Sequence, residues 1–304
     1  MRLNQVEKGD GFLQALLIRF ISMVSGMRLP DAARIVMYHD DFYGKPMAAW
    51  TQAAMRGDSN WSVGERELFA AITAEWNSCA FCIKAHSAIA SLVLDKTLVN
   101  AALEDFRQAK LGSKLQTTLA FLEKFAKTPD DITVEQVRTL LHNGISQQEL
   151  EDAMAVVTLF SITVRLANAL DFAVPDDSDF SRGAKRMLEQ GYVFGKSKPQ
   201  GHPGHRALAE VLRKRVLEGP GATGIALRQA MAKRTSGGPP VAEEAFDDLA
   251  LQIGQGAYKV TDEQVKKVVE KTGNEKAAFE LIVAAAVGAG LYRLDKGLAI
   301  LNEA

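Results

Sequence analysis

Cys79, Cys82 and His86 fall within eight residues and are spaced so that a helix places all three side chains on one face. The first turn of a helix favours a thiolate, the reactive form of cysteine, because its unpaired N–H groups carry partial positive charge. Two cysteines at this spacing can form a disulfide, and a neighbouring imidazole can take up a thiol proton. The pattern therefore predicts thiol redox chemistry.

Glu67 is the candidate for a carboxylate that holds this imidazole in the reactive tautomer. It stands twelve residues before Cys79, on what we predict to be the preceding helix. Two nearby acids are explained in other ways, since Glu65 forms a capping box with Ser62 and Glu75 is expected to face solvent. We therefore predict a catalytic set of one glutamate, two cysteines and one histidine.

The cysteines have two other interpretations. A cysteine on an apolar helix face is often a small core residue. A zinc site needs a fourth ligand, and Cys-x-x-Cys-x-x-x-His within one helix is a poor template for tetrahedral coordination. We therefore expect neither a metal nor a cofactor at this site.

The elements that position these residues are predicted to be helices throughout. Apolar residues recur at three- and four-residue spacings, and no sustained alternation of polar and apolar residues indicates a strand. Ser62, Thr133 and Ser146 each stand three residues before a Glu or Gln, which is the pattern of a capping box at a helix start. The expected fold class is therefore all-α.

An internal repeat relates the two halves of the chain. Residues 132–137 resemble residues 260–265, and residues 164–170 resemble residues 292–298, both at an offset of 128 positions. Two unrelated helical hairpins of similar composition are the alternative. Upstream of these blocks the second half is shorter, and the part that it lacks is the part with the cysteines. We therefore expect a degenerate second helical repeat.

Two segments rich in turn-forming residues are predicted to be linkers, Val174–Ser181 and Gly195–His205. His202 and His205 lie in the second of them and are expected to be solvated. We divide the chain at about residue 180. Residues 1–180 then form the catalytic domain with an N-terminal helical extension, and residues 181–304 form the repeat that lacks the cysteine site.

The composition disfavours several classes of protein. The 304 residues carry 36 Lys and Arg against 37 Asp and Glu, so no net charge recruits nucleic acid or an anionic membrane. Two cysteines cannot form the disulfide framework of a small secreted protein. Arg19 interrupts the apolar run Phe12–Met27, which we expect to be an amphipathic helix rather than a secretion signal. We expect a cytoplasmic protein with no nucleic-acid or membrane partner.

The order Glu67, Cys79-Ala-Phe-Cys82 and His86 resembles the Glu…Cys-x-x-Cys-x-x-x-His signature of the alkyl hydroperoxidase D (AhpD) branch of the carboxymuconolactone decarboxylase-like superfamily. The resemblance covers about residues 40–172. It implies an oligomeric, all-α, AhpD-like helical bundle. Cys82 would be the thiolate that attacks peroxide, Cys79 its resolving partner, and Glu67 and His86 the proton relay.

One position departs from the family pattern. Some members place a second histidine just before the latter cysteine, where this chain has Phe81. By the resemblance, the proton relay is shorter here and the peroxidase rate lower.

We therefore predict a thiol-dependent peroxidase or disulfide oxidoreductase, a peroxiredoxin-like alkyl hydroperoxidase with an antioxidant role. Its substrate would be a small hydroperoxide, and an external dithiol, either a protein or a small thiol, would regenerate the cysteine pair. A long apolar helix at about residues 277–300 needs burial on most sides, which leads us to expect a homodimer or a higher homo-oligomer.

Two alternative functions belong to other classes. One is a cofactor-free lyase or isomerase of the carboxymuconolactone decarboxylase type, in which His86 and Glu67 act as acid and base. That branch generally lacks the paired cysteines. The other is a non-catalytic helical stress or interaction protein that binds through the basic stretch Arg182–Arg215.

Overall fold

The computed structural model describes residues 1–9, 11–26, 28–193, 201–202 and 204–304. All regular elements in these ranges are helical and none is a strand, which confirms the all-α prediction. The α-helices are α1 (Asn4–Lys8), α2 (Phe12–Ser25), α3 (Asp31–Tyr38), α4 (Lys45–Arg56), α5 (Val63–Trp76), α6 (Ala80–Ala90), α7 (Lys96–Asp105), α8 (Ser113–Lys127), α9 (Val134–His142), α10 (Gln147–Ala169), α11 (Asp177–Gln190), α12 (His205–Arg213), α13 (Ile225–Arg234), α14 (Glu244–Gly256), α15 (Asp262–Thr272) and α16 (Glu275–Glu303).

The chain forms two compact units, each assembled from three separate segments. The N-terminal unit consists of residues 1–48, 162–175 and 208–289. The cysteine unit consists of residues 49–161, 176–207 and 290–304. Each unit thus takes segments from both halves of the chain. The boundary at about residue 180, which separates the two sequence repeats, stays a prediction.

The helix starts of the cysteine unit follow the local sequence signals. Ser62 and Glu65 form a reciprocal capping box at the start of α5, and Thr133 forms another with Gln136 at the start of α9. Ser146 makes the same pair of bonds with Glu149. These caps satisfy N–H groups that would otherwise lack partners.

The second helical repeat is visible as the same order of elements. The first repeat contains a short 3₁₀ turn at Pro129–Asp131, the capped helix α9 and the long helix α10. Their counterparts follow 128 positions later. These are a 3₁₀ turn at Ala257–Lys259, α15 and α16. The cap of α15 is again a threonine, Thr261, which accepts from the N–H of Gln264. The degenerate repeat expected from the sequence is therefore confirmed.

A buried arginine makes the same hydrogen bonds in both repeats. Arg66 on α5 donates to the carbonyl oxygens twelve and nine residues earlier, in Ala54 and Gly57. Arg228 on α13 donates to carbonyl oxygens at the same two separations. The two arginines lie 162 positions apart, whereas the later helices of the two repeats lie 128 positions apart. The second repeat is therefore shorter between these points, and it lacks a counterpart of α6.

The first linker prediction is wrong in part. Val174–Ser181 does not stay irregular, because α11 begins at Asp177. Asp176 caps this helix by accepting hydrogen bonds from the N–H groups of Ser178 and Asp179. Aspartates near a helix start also complement its dipole, so the acidic run favours a helix start. Most of the second predicted linker, Gly195–His205, lies outside the described residues.

Most residues of helix α16 are buried. It is long and apolar enough to span a membrane, but 89% of its most apolar window is buried inside the structure, as in the core helix of a globular protein. Gly288 permits close packing, since a Cβ there would lie 2.4 Å from the Cβ of Ala232. The apolar surface that led us to expect an oligomer is thus covered within the chain, and the oligomer stays a prediction.

Glu280 of α16 is a fully buried carboxylate in the N-terminal unit. It accepts hydrogen bonds from the N–H groups of Ala222 and Thr223 and from the Thr223 hydroxyl, and the Nε2 atom of His39 lies 3.1 Å from it. Burial by itself raises the pKa of Glu280, but these hydrogen bonds outweigh burial and lower it from 4.5 to about 2. The ionised form therefore stabilises the fold.

We expect this stabilisation to be complete above pH ~4.5 and to be lost as the pH falls towards 2, because the pKa of the folded state is the lower one. Glu280→Gln should lower the unfolding free energy by about 2 kcal/mol at pH 7 and by much less at pH 3. Urea unfolding followed by circular dichroism at both pH values measures the difference from wild type. Glu263→Gln, an exposed carboxylate on α15, is the control. Equal differences at both pH values would contradict the assignment.

Candidate active site

The predicted site residues meet where α5 packs against α6 in the cysteine unit. Helix α5 carries Glu67, and α6 carries Cys82 and His86. Cys79 is the N-cap residue of α6. Between the two helices Ser78 has a left-handed backbone conformation with φ of 52°, which is uncommon outside glycine. This tight connection brings the start of α6 back against α5.

Glu67 and His86 form a buried hydrogen-bonded pair. The distance between Glu67 Oε2 and His86 Nδ1 is 2.7 Å, and both side chains are buried. A carboxylate can only accept, so Nδ1 carries the proton and donates it. The other ring nitrogen, Nε2, is then the one that can accept a proton in the neutral imidazole. The structure thus brings together two residues chosen from their spacing and residue types.

Glu67 stays ionised although it is completely buried. Burial raises the pKa of this carboxyl group, but the hydrogen bond and charge of His86 and the charge of Arg56 outweigh it, so the pKa is below its usual value. Arg56 Nη2 donates to Glu67 Oε1 over 2.7 Å. A buried charge needs such partners, because the interior solvates it poorly.

Cys79 and Cys82 are free thiols, and both are buried. A hydrogen bond with Cys79, burial and the charge of Cys79 together raise the pKa of Cys82 well above its usual value. This corrects the expectation that the helix start favours a thiolate at both positions. At Cys82, the third residue of α6, the hydrogen bond with the neighbouring thiol and the loss of solvation outweigh the partial charge of the helix terminus. A base must therefore remove its proton before Cys82 can react.

His86 is placed on the correct helix face to be that base. It follows Cys82 by four residues on α6, so the two side chains are neighbours on one face. The hydrogen bonds that His86 makes in the described structure all use Nδ1. The edge of its ring packs against Phe160, with the ring centroids 4.3 Å apart. The imidazole is thus held on one side by a carboxylate and on another by an aromatic ring.

Tyr192 belongs to the site and was missed by the sequence analysis. Its hydroxyl lies 3.0 and 3.2 Å from the two carboxylate oxygens of Glu67 and 3.5 Å from His86 Nδ1. Burial and the charge of Glu67 raise the pKa of Tyr192 well above its usual value, so the hydroxyl stays protonated and donates. No motif marks Tyr192, because it reaches the site from a segment 125 positions after Glu67.

Arg56 was missed for a similar reason. It ends α4, where a basic residue is common, so the sequence alone gives it no special role. Its guanidinium group lies 5.1 Å from the centroid of the Tyr192 ring and hydrogen-bonds Glu67. Among the described residues, Glu67 therefore has three donors, one each from Arg56, Tyr192 and His86.

A second histidine of the cysteine unit, His205, is buried instead of solvated, which corrects the prediction. Its Nε2 lies 3.1 Å from Asp152 Oδ1, and Trp50 Nε1 donates to its Nδ1 over 3.2 Å. Ser59 donates to the other oxygen of Asp152. Both ring nitrogens are occupied by protein partners, so His205 is structural. His202, also expected to be solvated, is about 41% exposed.

The described residues include no group of three or more His, Cys, Asp or Glu side chains that could hold a metal ion. The cysteine pair, His86 and Glu67 therefore do not form such a group in the described structure. The geometry at the site is that of a buried thiol pair beside an oriented imidazole.

No protein-family model and no curated protein sequence matches this chain. Several solved structures are similar to it, among them the following two. The alkylhydroperoxidase AhpD core from Ralstonia eutropha JMP134, an uncharacterised peroxidase-related protein, is 21% identical, with a TM-score of 0.46, and the match covers 55% of this chain and 86% of that one. An uncharacterised peroxidase-related protein from Silicibacter sp. TM1040 is 22% identical, with a TM-score of 0.48, and the match covers 55% of this chain and 85% of that one.

We expect Glu67→Gln to shift thiol reactivity to higher pH, because the neutral amide no longer stabilises the protonated imidazole that accepts the thiol proton. The rate of iodoacetamide labelling, measured against pH, reports this shift. Glu75→Gln, an exposed residue of the same helix, should leave the profile unchanged.

Glu67→Gln also leaves Arg56 without its carboxylate, so a gentler variant is needed. Tyr192→Phe removes one hydrogen bond to Glu67 and keeps the charge pair. We expect it to retain the fold and to slow labelling at pH 7 by about tenfold. If both folded variants keep the wild-type pH profile, Glu67 has no part in activating the thiols.

Proposed function

We propose that the protein is a thiol-dependent peroxidase of the AhpD type that reduces small hydroperoxides through Cys79 and Cys82. The observation that carries this proposal is the 2.7 Å hydrogen bond between Glu67 and His86, together with two buried free thiols at the start of the helix that carries the imidazole. The pair supplies a base in a defined tautomer, and the raised pKa of Cys82 creates the need for one.

In the first step His86 Nε2 takes the proton of the Cys82 thiol. The thiolate then attacks one oxygen of the hydroperoxide, the O–O bond breaks, and the alcohol leaves with the proton that His86 had taken. Cys82 becomes a sulfenic acid. Glu67 stays ionised and stabilises the protonated imidazole while it holds that proton.

In the second step the sulfur of Cys79 attacks the sulfenic sulfur of Cys82. The S–S bond forms and the S–O bond breaks, and hydroxide leaves as water with the proton from the Cys79 thiol. The cysteine pair has lost two electrons, and the peroxide has been reduced to alcohol and water. An external dithiol restores both thiols by exchange and is itself oxidised to a disulfide. We place the reaction in the cytoplasm, where thiols are kept reduced.

The environment of the thiols supports a slow and selective enzyme. Phe81 occupies the position where some AhpD-like proteins have a second histidine, and its ring packs near Phe180 with the centroids 5.8 Å apart. Phe81 cannot carry a proton, so His86 alone must serve both the thiol and the leaving alcohol. Because both cysteines are buried, only small substrates can reach them.

One equivalent of hydroperoxide should lower the protein mass by about 2 Da, without a lasting oxygen adduct, because the sulfenic acid condenses with the second thiol. We expect Cys82→Ser to abolish peroxide consumption and Cys79→Ser to accumulate a sulfenic acid that dimedone traps. Mass spectrometry of the two variants assigns the roles. Turnover by Cys82→Ser, with dimedone on Cys79, would reverse them.

Alkylation of both thiols separates the peroxidase from a cofactor-free lyase or isomerase that uses His86 and Glu67. The peroxidase loses all activity on alkylation, whereas acid–base chemistry on a carbon acid does not require the thiols. Oxidation that occurs once and is not reversed by any dithiol would contradict an enzymatic role and favour a stress-sensing protein.

A further inference from the structure

Helix α2 in the N-terminal unit exposes a continuous apolar face. The large apolar side chains of this face are between 46% and 81% exposed. They recur at helical spacing and so lie along one side of the helix. They are Phe12, Leu13, Leu16, Leu17, Phe20, Met23 and Val24.

The opposite side of α2 is anchored to the N-terminal unit. Ile18 is buried at 6% exposure. Gln14 donates from Nε2 to the carbonyl oxygen of Met37 over 2.7 Å, and the Ser22 hydroxyl accepts from the N–H of Leu29 over 3.2 Å. These contacts define which side of the helix faces its own unit. The apolar face is thus presented outward by a helix of fixed orientation.

The size of this face matches a protein–protein interface. With full side-chain areas of about 150–200 Å² each, the exposed fractions amount to roughly 800 Å² of apolar surface. The largest apolar patch of a typical monomer is about 300–600 Å². A standard interface buries about 800 Å² on each partner. One such face on each of two molecules is therefore enough for a stable contact.

The charge on α2 favours a protein over a membrane as the occupant. Arg19 is the one charged residue among the fourteen of this helix. Nearby Arg28 is already paired with Asp31 and Glu7. A helix that lies on a membrane surface carries several Lys or Arg along its polar side, which α2 lacks. A neutral apolar face is complementary to another neutral apolar face. The outward face of α2 on a second copy of the chain is equally neutral, equally apolar and of the same area.

We propose that two copies of this chain form a two-fold symmetric dimer through the outward face of α2. In such an interface the same patch is contributed by both partners, so each exposed side chain is covered once by the other copy. The proposal is independent of the peroxidase reaction, because no residue of this face belongs to the cysteine unit.

Sedimentation equilibrium of the full-length protein tests the proposal. Wild type should have twice the chain mass of 33.1 kDa at micromolar concentration. The double variant Leu16→Glu, Phe20→Glu should raise the dimer dissociation constant at least about hundredfold, because each substitution occurs twice at the interface. Its circular dichroism should be unchanged, since both side chains are more than half exposed.

The matched control is Val211→Glu, Ile225→Glu, which alters two similarly exposed apolar residues elsewhere in the N-terminal unit and should leave the dimer intact. A wild-type monomer at high concentration would overturn the proposal, and so would a dimer that the α2 variant does not weaken. Co-sedimentation of monomeric wild type with phosphatidylcholine–phosphatidylglycerol vesicles, abolished by the α2 variant, would assign this face to a membrane instead.

Discussion

The buried negative charge of Glu67 is the constraint on which the arrangement of the site depends. A carboxylate with no solvent contact is stable only if donors replace the lost water, and three side chains do so here. Arg56 balances the charge, while Tyr192 and His86 complete the hydrogen bonds. These partners come from the end of α4, the segment after α11 and helix α6. The requirement to satisfy one carboxylate therefore determines how three distant parts of the cysteine unit meet.

The same burial determines the chemistry of the thiols. The hydrogen bond with Cys79 and the loss of solvation keep the proton on Cys82, so this thiol is unreactive until a base removes the proton. Orientation of the imidazole is then as important as the presence of the cysteines. In the proposed reaction, Cys82 therefore reacts only when a substrate reaches it and His86 can accept its proton.

The repeat shows which features belong to the scaffold and which to the site. Asp152 on α10 and Glu280 on α16 lie 128 positions apart, and each faces a histidine, His205 in one unit and His39 in the other. The buried arginines of α5 and α13 likewise make equivalent bonds. These interactions hold helices together in both copies. The second copy lacks α6, so it keeps the supporting interactions without the cysteines.

Much of the fold and part of the site could be predicted from the sequence, because the relevant interactions are local. Caps such as Ser62 with Glu65 join residues three positions apart, and the face shared by Cys82 and His86 follows from helix geometry. The choice of Glu67 rested on the same local reasoning and on its resemblance to a known motif. The predicted linker at Val174–Ser181 shows a limit of this reasoning, since its acidic residues serve equally well as a helix start.

The remaining features of the site depend on contacts between distant segments. Tyr192 reaches Glu67 across 125 positions and His205 reaches Asp152 across 53, and no local pattern encodes contacts at such separations. The hydrogen bond with Cys79 and burial by surrounding elements both raise the pKa of Cys82, and of these two causes only the burial depends on the packing of distant segments. Local sequence patterns account for the helices, their caps and the types of reactive residue. The packing of distant segments determined which polar groups are buried together, and therefore their protonation and their roles.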